Sequence, residues 1–238
     1  MCSSDLEKQV DAARKRYDDF LAKNPKSSQA YLQYAELLAM TGTPAKDIQA
    51  VLDRGLAADP TALPIRMALV RMLAQGGDTK RALLLAQEAS ASAPDDPAVL
   101  DLLGRAQVAA GEMQQALSTY EKLATRMPNS PVPLIAQADL QMAAKDLSAA
   151  ENSLRKALVV KPDAVEAQQR LISLLLQSKR GDAAIAVARD VQKQHGESSV
   201  GFLLEGEALS AMGKSADAVG PYSEAFKRDK SPQSLIRV

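Results

Sequence analysis

Alanine returns at Ala82, Ala116, Ala150, Ala184 and Ala218, each 34 residues after the last, and the ladder extends upstream through Ile48 and Ala13. A second ladder runs Pro25, Pro60, Pro94, Pro128 and Pro162 and continues through Gly196 and Lys230. Its first step alone is 35 residues, which places one extra residue in "TGTPAKD" (41–47), where Pro44 disturbs a turn. A unit this short cannot bury an apolar face by itself. Copies must stack on their neighbours, which excludes an ordinary one-core globule. The residues between the ladders are mostly Ala, Leu, Gln, Glu, Lys and Arg, all helix formers, and no alternating Val/Ile/Thr run suggests a strand.

Within each unit the large and small residues keep fixed intervals. Phe202, Gly206, Leu209, Ala218 and Tyr222 follow one spacing, and Leu100, Gly104, Gln107, Ala116, Tyr120 and Pro128 follow the same one. This pattern resembles the tetratricopeptide repeat (TPR) family, a 34-residue helix–turn–helix module. The resemblance implies an all-α fold, a right-handed TPR α-solenoid of antiparallel helix pairs with no sheet. Numbered by position within a repeat, six repeats are expected at 28–62, 63–96, 97–130, 131–164, 165–198 and 199–232. Positions 4, 8 and 11 then share one stripe of the first helix (A), and positions 20, 24 and 27 one stripe of the second (B). Gly42, Gly77, Gly111 and Gly213 fall at position 15, where glycine ends helix A in the left-handed conformation. Proline at position 32 stops helix B.

Residues 7–27 place Ala13, Tyr17, Phe20 and Pro25 at positions 20, 24, 27 and 32, so this segment reads as a helix B without its helix A. Residues 233–238 read as the start of a further, truncated repeat. "MCSSDL" (1–6) resembles a translated sequencing adapter and is set aside as a non-native tail.

Positions 8 and 24 compensate one another. Ala35 pairs with Leu52, Val70 with Ala86, Gly104 with Tyr120, Ala138 with Leu154, Ile172 with Ala188 and Gly206 with Tyr222. Glycine on one helix accompanies tyrosine on the other, and Val or Ile accompanies alanine. The summed volume stays roughly constant, as a close-packed interior requires, and the expectation is that each pair is in contact. The order recurs every third repeat. Leu69/Leu171, Leu73/Leu175, Gln75/Gln177 and Gly111/Gly213 keep the same 102-residue offset, which points to duplication of a three-repeat unit.

Chemistry is not signalled. The 29 basic and 29 acidic side chains cancel, which argues against nucleic acid or an anionic membrane as partner. Aromatics make up 3% with no Trp, too few for base-stacking platforms. No apolar run approaches the ~18 residues of a membrane span. One cysteine excludes an internal disulfide, and no apolar segment precedes Cys2 to mark a lipid anchor. His195 falls at position 31, where a cation complements the end of a helix B, and no second histidine joins it for catalysis or metal. Asp95–Asp96 suits a turn and a helix N-terminus better than an acid/base pair. Lys80–Arg81 and Lys179–Arg180 read as solvated surface. With no phosphate-binding loop or nucleophile motif, the expectation is no enzyme, no cofactor and no metal. Pro221, inside an expected helix B, should kink it.

The TPR resemblance implies a protein or peptide partner held on the concave face, which that family builds from positions 2, 5, 9, 12 and 13 of helix A. Carried onto this chain, these positions include Leu32, Glu36, Met40, Met67, Arg71, Asp101, Arg105, Ile135, Asp139, Met142, Gln169, Leu176, Leu203 and Glu207. Flexible methionine suits an adaptable peptide surface, and it equally fills gaps between repeats. The Lys-at-5, Asn-at-9 pattern with which some TPR domains grip a C-terminal carboxylate is absent.

"LLGRAQVAAGEMQQALSTYEKL" (102–123), "QADLQMAAKDLSAAENSLRKALVVKPDAVEAQ" (137–168) and "VGFLLEGEALSAMGKSADAVGPYSEAF" (200–226) are similar to the long TPR-repeat lipoproteins of exosortase/PEP-CTERM protein-sorting and exopolysaccharide systems. That resemblance implies a non-enzymatic scaffold and an internal fragment of a periplasmic, outer-membrane-associated protein of the bacterial cell envelope. A cytoplasmic TPR adaptor, or the TPR region of an enzyme such as a glycosyltransferase, are the alternatives.

Overall fold

Glycine and proline cut the chain into helices as regularly as their spacing implies. The computed structural model describes residues 3–229, with side chains from residue 9 to residue 228; residues 1–2 of the tail and the expected truncated repeat at 233–238 lie outside that range. Among the described residues there are helices and no strand. They are α1 (Ser3–Lys23), α2 (Ser28–Met40), α3 (Ala45–Ala58), α4 (Leu63–Gln75), α5 (Thr79–Ser92), α6 (Pro97–Ala109), α7 (Met113–Arg126), α8 (Val132–Ala143), α9 (Leu147–Val160), α10 (Val165–Gln177), α11 (Gly181–Gln194), α12 (Val200–Ala211) and α13 (Ser215–Asp229). Each helix A begins at the first or second position of its repeat. α1 begins at Ser3, inside the stretch set aside as tail, because adding turns to a nucleated helix costs little.

The turn from helix A to helix B is the same device six times. The amides of Thr43, Asp78, Glu112, Asp146, Arg180 and Lys214 each bond the carbonyl five residues back, at 2.8–3.0 Å. This is the hydrogen-bond signature of a left-handed helix C-terminus. Gly42, Gly77, Gly111 and Gly213 occupy it with φ of 71°, 85°, 82° and 75°. The remaining two repeats place lysine there instead, Lys145 at φ 62° and Lys179 at φ 58°. In repeats 2 and 4 the residue that closes the turn also caps helix B: the Asp78 carboxylate accepts from the Arg81 amide and that of Asp146 from the Ala149 amide. In the first repeat Thr43 closes the turn and Pro44 precedes α3, so the connection is one residue longer than elsewhere. That is the extra residue of the proline ladder. Asp96 caps α6, accepting from Ala98 at 2.8 Å and Val99 at 3.3 Å. α13 runs through Pro221 to Asp229; the ring lacks an amide hydrogen, so the Asp217 carbonyl receives no helical bond from residue 221.

The chain forms two compact units that divide within α7, between Thr119 and Tyr120. In the first, consecutive helices from α1 to α6 pack on one another, and helix A also stacks on the next helix A, as α2 on α4 and α4 on α6. In the second, consecutive helices from α8 to α13 do the same, with α10 on α12. Both are α-solenoid stacks. The first buries Ile65, Leu69, Val70 and Leu73 against Ala82, Leu85 and Ala86. The second buries Leu154, Leu171, Leu174 and Leu175 among Ala150, Ala157, Ala184 and Ala188. Each large side chain so buried contributes about 1.5–3 kcal/mol.

The bump-and-hollow relation between positions 8 and 24 is direct at Gly206, where a Cβ would fall 2.5 Å from the Tyr222 ring. Ala35 and Leu52, Val70 and Ala86, Ala138 and Leu154, and Ile172 and Ala188 are buried together within their unit's core. A second pairing joins positions 4 and 27. A Cβ on Gly55 would meet both Tyr31 Cγ and Ile65 Cδ1 at 2.7 Å. A third joins positions 11 and 23. Thr119 donates to Gln107 Oε1 and Ser153 to Gln141 Oε1, each at 2.7 Å.

Candidate peptide-binding groove

Within the first unit α4 packs beside α6, so outward positions of the two helices face one channel. In the first unit α4 and α6 enclose a groove of about 600 Å³. α4 supplies Met67, Arg71 and Gln75 from positions 5, 9 and 13, and α6 supplies Asp101 and Arg105 from positions 5 and 9. Val70, Ala74, Ala98, Leu102 and Ala106 form its apolar floor. Met67 rests partly against the core while lining the groove, so it serves packing and surface together. Arg105 Nε donates to Asp101 Oδ2 at 2.8 Å one turn back, with its own side chain 68% exposed. Arg71 is exposed, and its Nε bonds the Met67 carbonyl at 3.2 Å, leaving the rest of the guanidinium toward solvent. Two arginines against one aspartate give the channel a net positive charge over an apolar floor. That combination suits an extended peptide carrying a carboxylate beside apolar side chains.

The other residues expected on this face are distributed differently. In the first unit Leu32 is partly buried against the core, while Glu36 is exposed and Met40 is 80% exposed at the end of α2. Met40 therefore fills no gap. In the second unit Ile135 is 5% exposed and belongs to the core cluster. Asp139 accepts from Arg170 Nε at 2.6 Å, and Arg170 also reaches Glu166 at 2.9 Å. The hydrogen bond that Arg170 donates to Asp139, with both carboxylates nearby, raises the guanidinium further above its usual range. Met142, Leu176 and Leu203 pack partly buried against the core. Gln169 is exposed and Glu207 partly buried.

Sequence reasoning missed Glu205. It is 7% exposed beneath a cavity of about 630 Å³ that Pro221 and Leu209 also line. Arg189 Nε donates to it at 2.8 Å and Gln192 Nε2 at 2.6 Å, so the carboxylate is neutralised inside the unit. Ala74, Gln75 and Ala98 of the groove stand at positions 12, 13 and 2, where the repeat pattern would have found them. His195 closes α11. Among the described residues no cluster of His, Cys, Asp and Glu is arranged to hold a metal ion, and no helix is long and apolar enough to cross a membrane.

A tetratricopeptide repeat model matches residues 7–62 and 67–131, and a tetratricopeptide repeat-like domain model matches residues 131–238. No curated protein matches the chain in sequence. Solved structures match its fold. A tetratricopeptide repeat protein from Parabacteroides merdae is 16% identical with a TM-score of 0.63, over 87% of this chain and 82% of that one. A thermophilic TPR protein of Thermus thermophilus is 20% identical with a TM-score of 0.52, over 74% and 96%. YrrB, described as a TPR protein with an unusual peptide-binding site, is 13% identical with a TM-score of 0.50, over 78% and 95%.

Proposed function

Because the chain belongs to the tetratricopeptide repeat family, we propose that it is a non-enzymatic scaffold that holds a peptide segment of a partner protein in the groove between α4 and α6. The observation that carries this reading is the juxtaposition of Arg71 and Arg105 over the floor formed by Val70, Leu102 and Ala106. Equivalent positions of consecutive repeats present charge at the regular interval that an extended ligand can follow. The ligand contributes a carboxylate to Arg71 and apolar side chains to the floor; Met67 adapts its rotamer to them.

The similarity of residues 102–123, 137–168 and 200–226 to TPR lipoproteins of exosortase/PEP-CTERM systems supports a finer reading. In it the scaffold serves protein sorting and exopolysaccharide export in the bacterial envelope, at the periplasmic side of the outer membrane. Recovery of partners from envelope extract and from cytosol, compared side by side, separates this from the cytoplasmic alternative.

The groove itself is tested with a displayed peptide library selected on the immobilised chain. Enriched peptides should carry Asp or Glu beside apolar residues, and Arg71→Glu/Arg105→Glu should weaken them at least tenfold. Equal affinity for wild type and the double variant would remove the groove from the binding surface.

A further inference from the structure

Within each unit a helix A separates one B helix from the next, and ion pairs bridge the grooves so formed. Arg54 of α3 reaches Asp18 of α1, Arg81 of α5 reaches Asp53 of α3, and Arg180, just before α11, reaches Glu151 of α9. The groove between α11 and α13, with α12 as its floor, has no such bridge among the described residues. It stands open with a volume of about 630 Å³. In the bridged grooves a further helix A follows, α6 after α5 and α12 after α11, yet the Arg81 and Arg180 side chains stay 38% and 49% exposed. A following helix A therefore leaves this flank of a stack uncovered.

Arg189 accounts for the missing bridge. It stands at position 25, where α3 carries Asp53, and Asp217 stands at position 19, where α5 carries Arg81. The charges are exchanged, but Arg189 Nε is held at 2.8 Å by the buried Glu205 on the groove floor. Lys193 is held by Asp190 at 2.9 Å. Asp182 on α11 and Asp217 on α13 are exposed, line the groove from its two banks and make no ion pair among the described residues. Pro221, on the Asp217 bank, leaves the Asp217 carbonyl without its helical donor. With Lys214 included, the lining carries four carboxylates against three cations, and Ile185 and Leu209 add apolar surface.

We propose that the groove between α11 and α13 docks an extended segment of a partner protein through an arginine whose guanidinium bridges Asp182 and Asp217. That is the role Arg81 plays from within the chain between α3 and α5. The planar guanidinium presents its donors in a fixed fork and serves two carboxylates at once. From Asp182 to Lys193 the groove follows α11 for about 16 Å, the span of about five extended residues, so it takes a peptide rather than a lone amino acid. Apolar residues beside the arginine rest on Leu209 and Pro221. Among the described residues every arginine stands in a helix except Arg180, which Glu151 holds, so a second copy offers no extended arginine. This surface is built on B helices and is separate from the groove between α4 and α6.

The probe is the fluorescein-labelled peptide Gly-Leu-Arg-Leu-Gly. Titration by fluorescence anisotropy is expected to show one site per chain. Replacing the arginine by citrulline, its uncharged isostere, should weaken binding at least tenfold, and replacing it by lysine should weaken it less. Asp182→Asn and Asp217→Asn should each weaken the arginine peptide severalfold and leave the citrulline peptide unchanged, while circular dichroism shows the helices intact. Asp47→Asn/Asp163→Asn, which neutralises two exposed carboxylates outside the groove, should bind as wild type does. The proposal is overturned if the arginine peptide does not bind, if the citrulline peptide binds equally, or if either groove variant binds as wild type does. It is also overturned if Asp47→Asn/Asp163→Asn weakens binding as much as the groove variants, or if sedimentation equilibrium shows the chain pairing with itself through Asp182 and Asp217.

Discussion

The ring of Tyr222 occupies the space that a side chain at residue 206 would need, with only 2.5 Å between a Cβ on Gly206 and Tyr222 Cε1. Glycine is there for volume rather than for backbone conformation, since residue 206 lies within the α12 helix. Gly206→Ala is expected to destabilise the chain by about 1–3 kcal/mol, the usual cost of overpacking, despite alanine's better helix propensity. Gly206→Ile combined with Tyr222→Ala reproduces the Ile172/Ala188 pair and should recover most of the loss. Denaturant unfolding of the single and double variants measures both.

Lys145 and Lys179 hold a conformation that costs an L-residue with a Cβ roughly 1–2 kcal/mol, while glycine loses more entropy on folding. Lys145→Gly and Lys179→Gly should therefore each stabilise by about 0.5–1 kcal/mol and raise the melting temperature. Gly77→Ala should lower it. A thermal scan in which the lysine variants melt below wild type would contradict the turn geometry.

Thr119 and Gln107 form a buried hydrogen bond of 2.7 Å between helices of one hairpin. Thr119→Val strands the Gln107 amide oxygen and should cost about 1–3 kcal/mol. Gln107→Leu/Thr119→Val converts the pair to the apolar type seen at Leu73 and Leu85 and should cost far less than the two single changes added together. A double-mutant cycle measures that coupling.

Glu151 accepts from Arg155 at 2.7 Å and from Arg180 at 2.6 Å, tying α9 to the start of α11. The Arg155 bond first, and the Arg180 bond with it, hold its carboxyl below the usual glutamate value against an opposing effect of desolvation. A carboxylate lowered on folding stabilises the native state above its unfolded pKa, and that contribution fades as pH falls through the folded value. Wild type should thus exceed Glu151→Gln by about 1 kcal/mol at neutral pH. The difference should shrink once the pH drops below the ordinary glutamate range. A pH-independent gap would show that Glu151 acts by packing alone.

Helix limits were legible because they are written in residues with unusual backbones: the glycines at position 15, the prolines at position 32, and Pro44, which marks the one longer turn. The channel was legible in part, since Met67, Arg71, Asp101 and Arg105 follow from stacking alone. What escaped depends on partners outside the residue's own helix. Arg66 is 8% exposed, yet Nη2 donates to the Pro60 carbonyl at 2.6 Å; 102 residues later Gln168 donates to the Pro162 carbonyl at 2.8 Å. Taken singly, a buried arginine or glutamine at position 4 violates the apolar pattern. As a pair they repeat one solution at the 102-residue offset already seen in the sequence. Glu205 escaped because its burial is decided by Arg189 and Gln192 of the neighbouring helix and not by its place in the repeat.

Pro221 stands at position 23, opposite the position of Leu209, and the two share a cavity wall. A residue that forbids a helical hydrogen bond has been accepted there because the site asks only for an apolar partner to leucine. Within each stack a helix answers to its immediate neighbours alone, so a blemish in one hairpin stays local to it. Whole modules can be gained, lost or reshuffled over evolutionary time while the rest of the array keeps its interior unchanged.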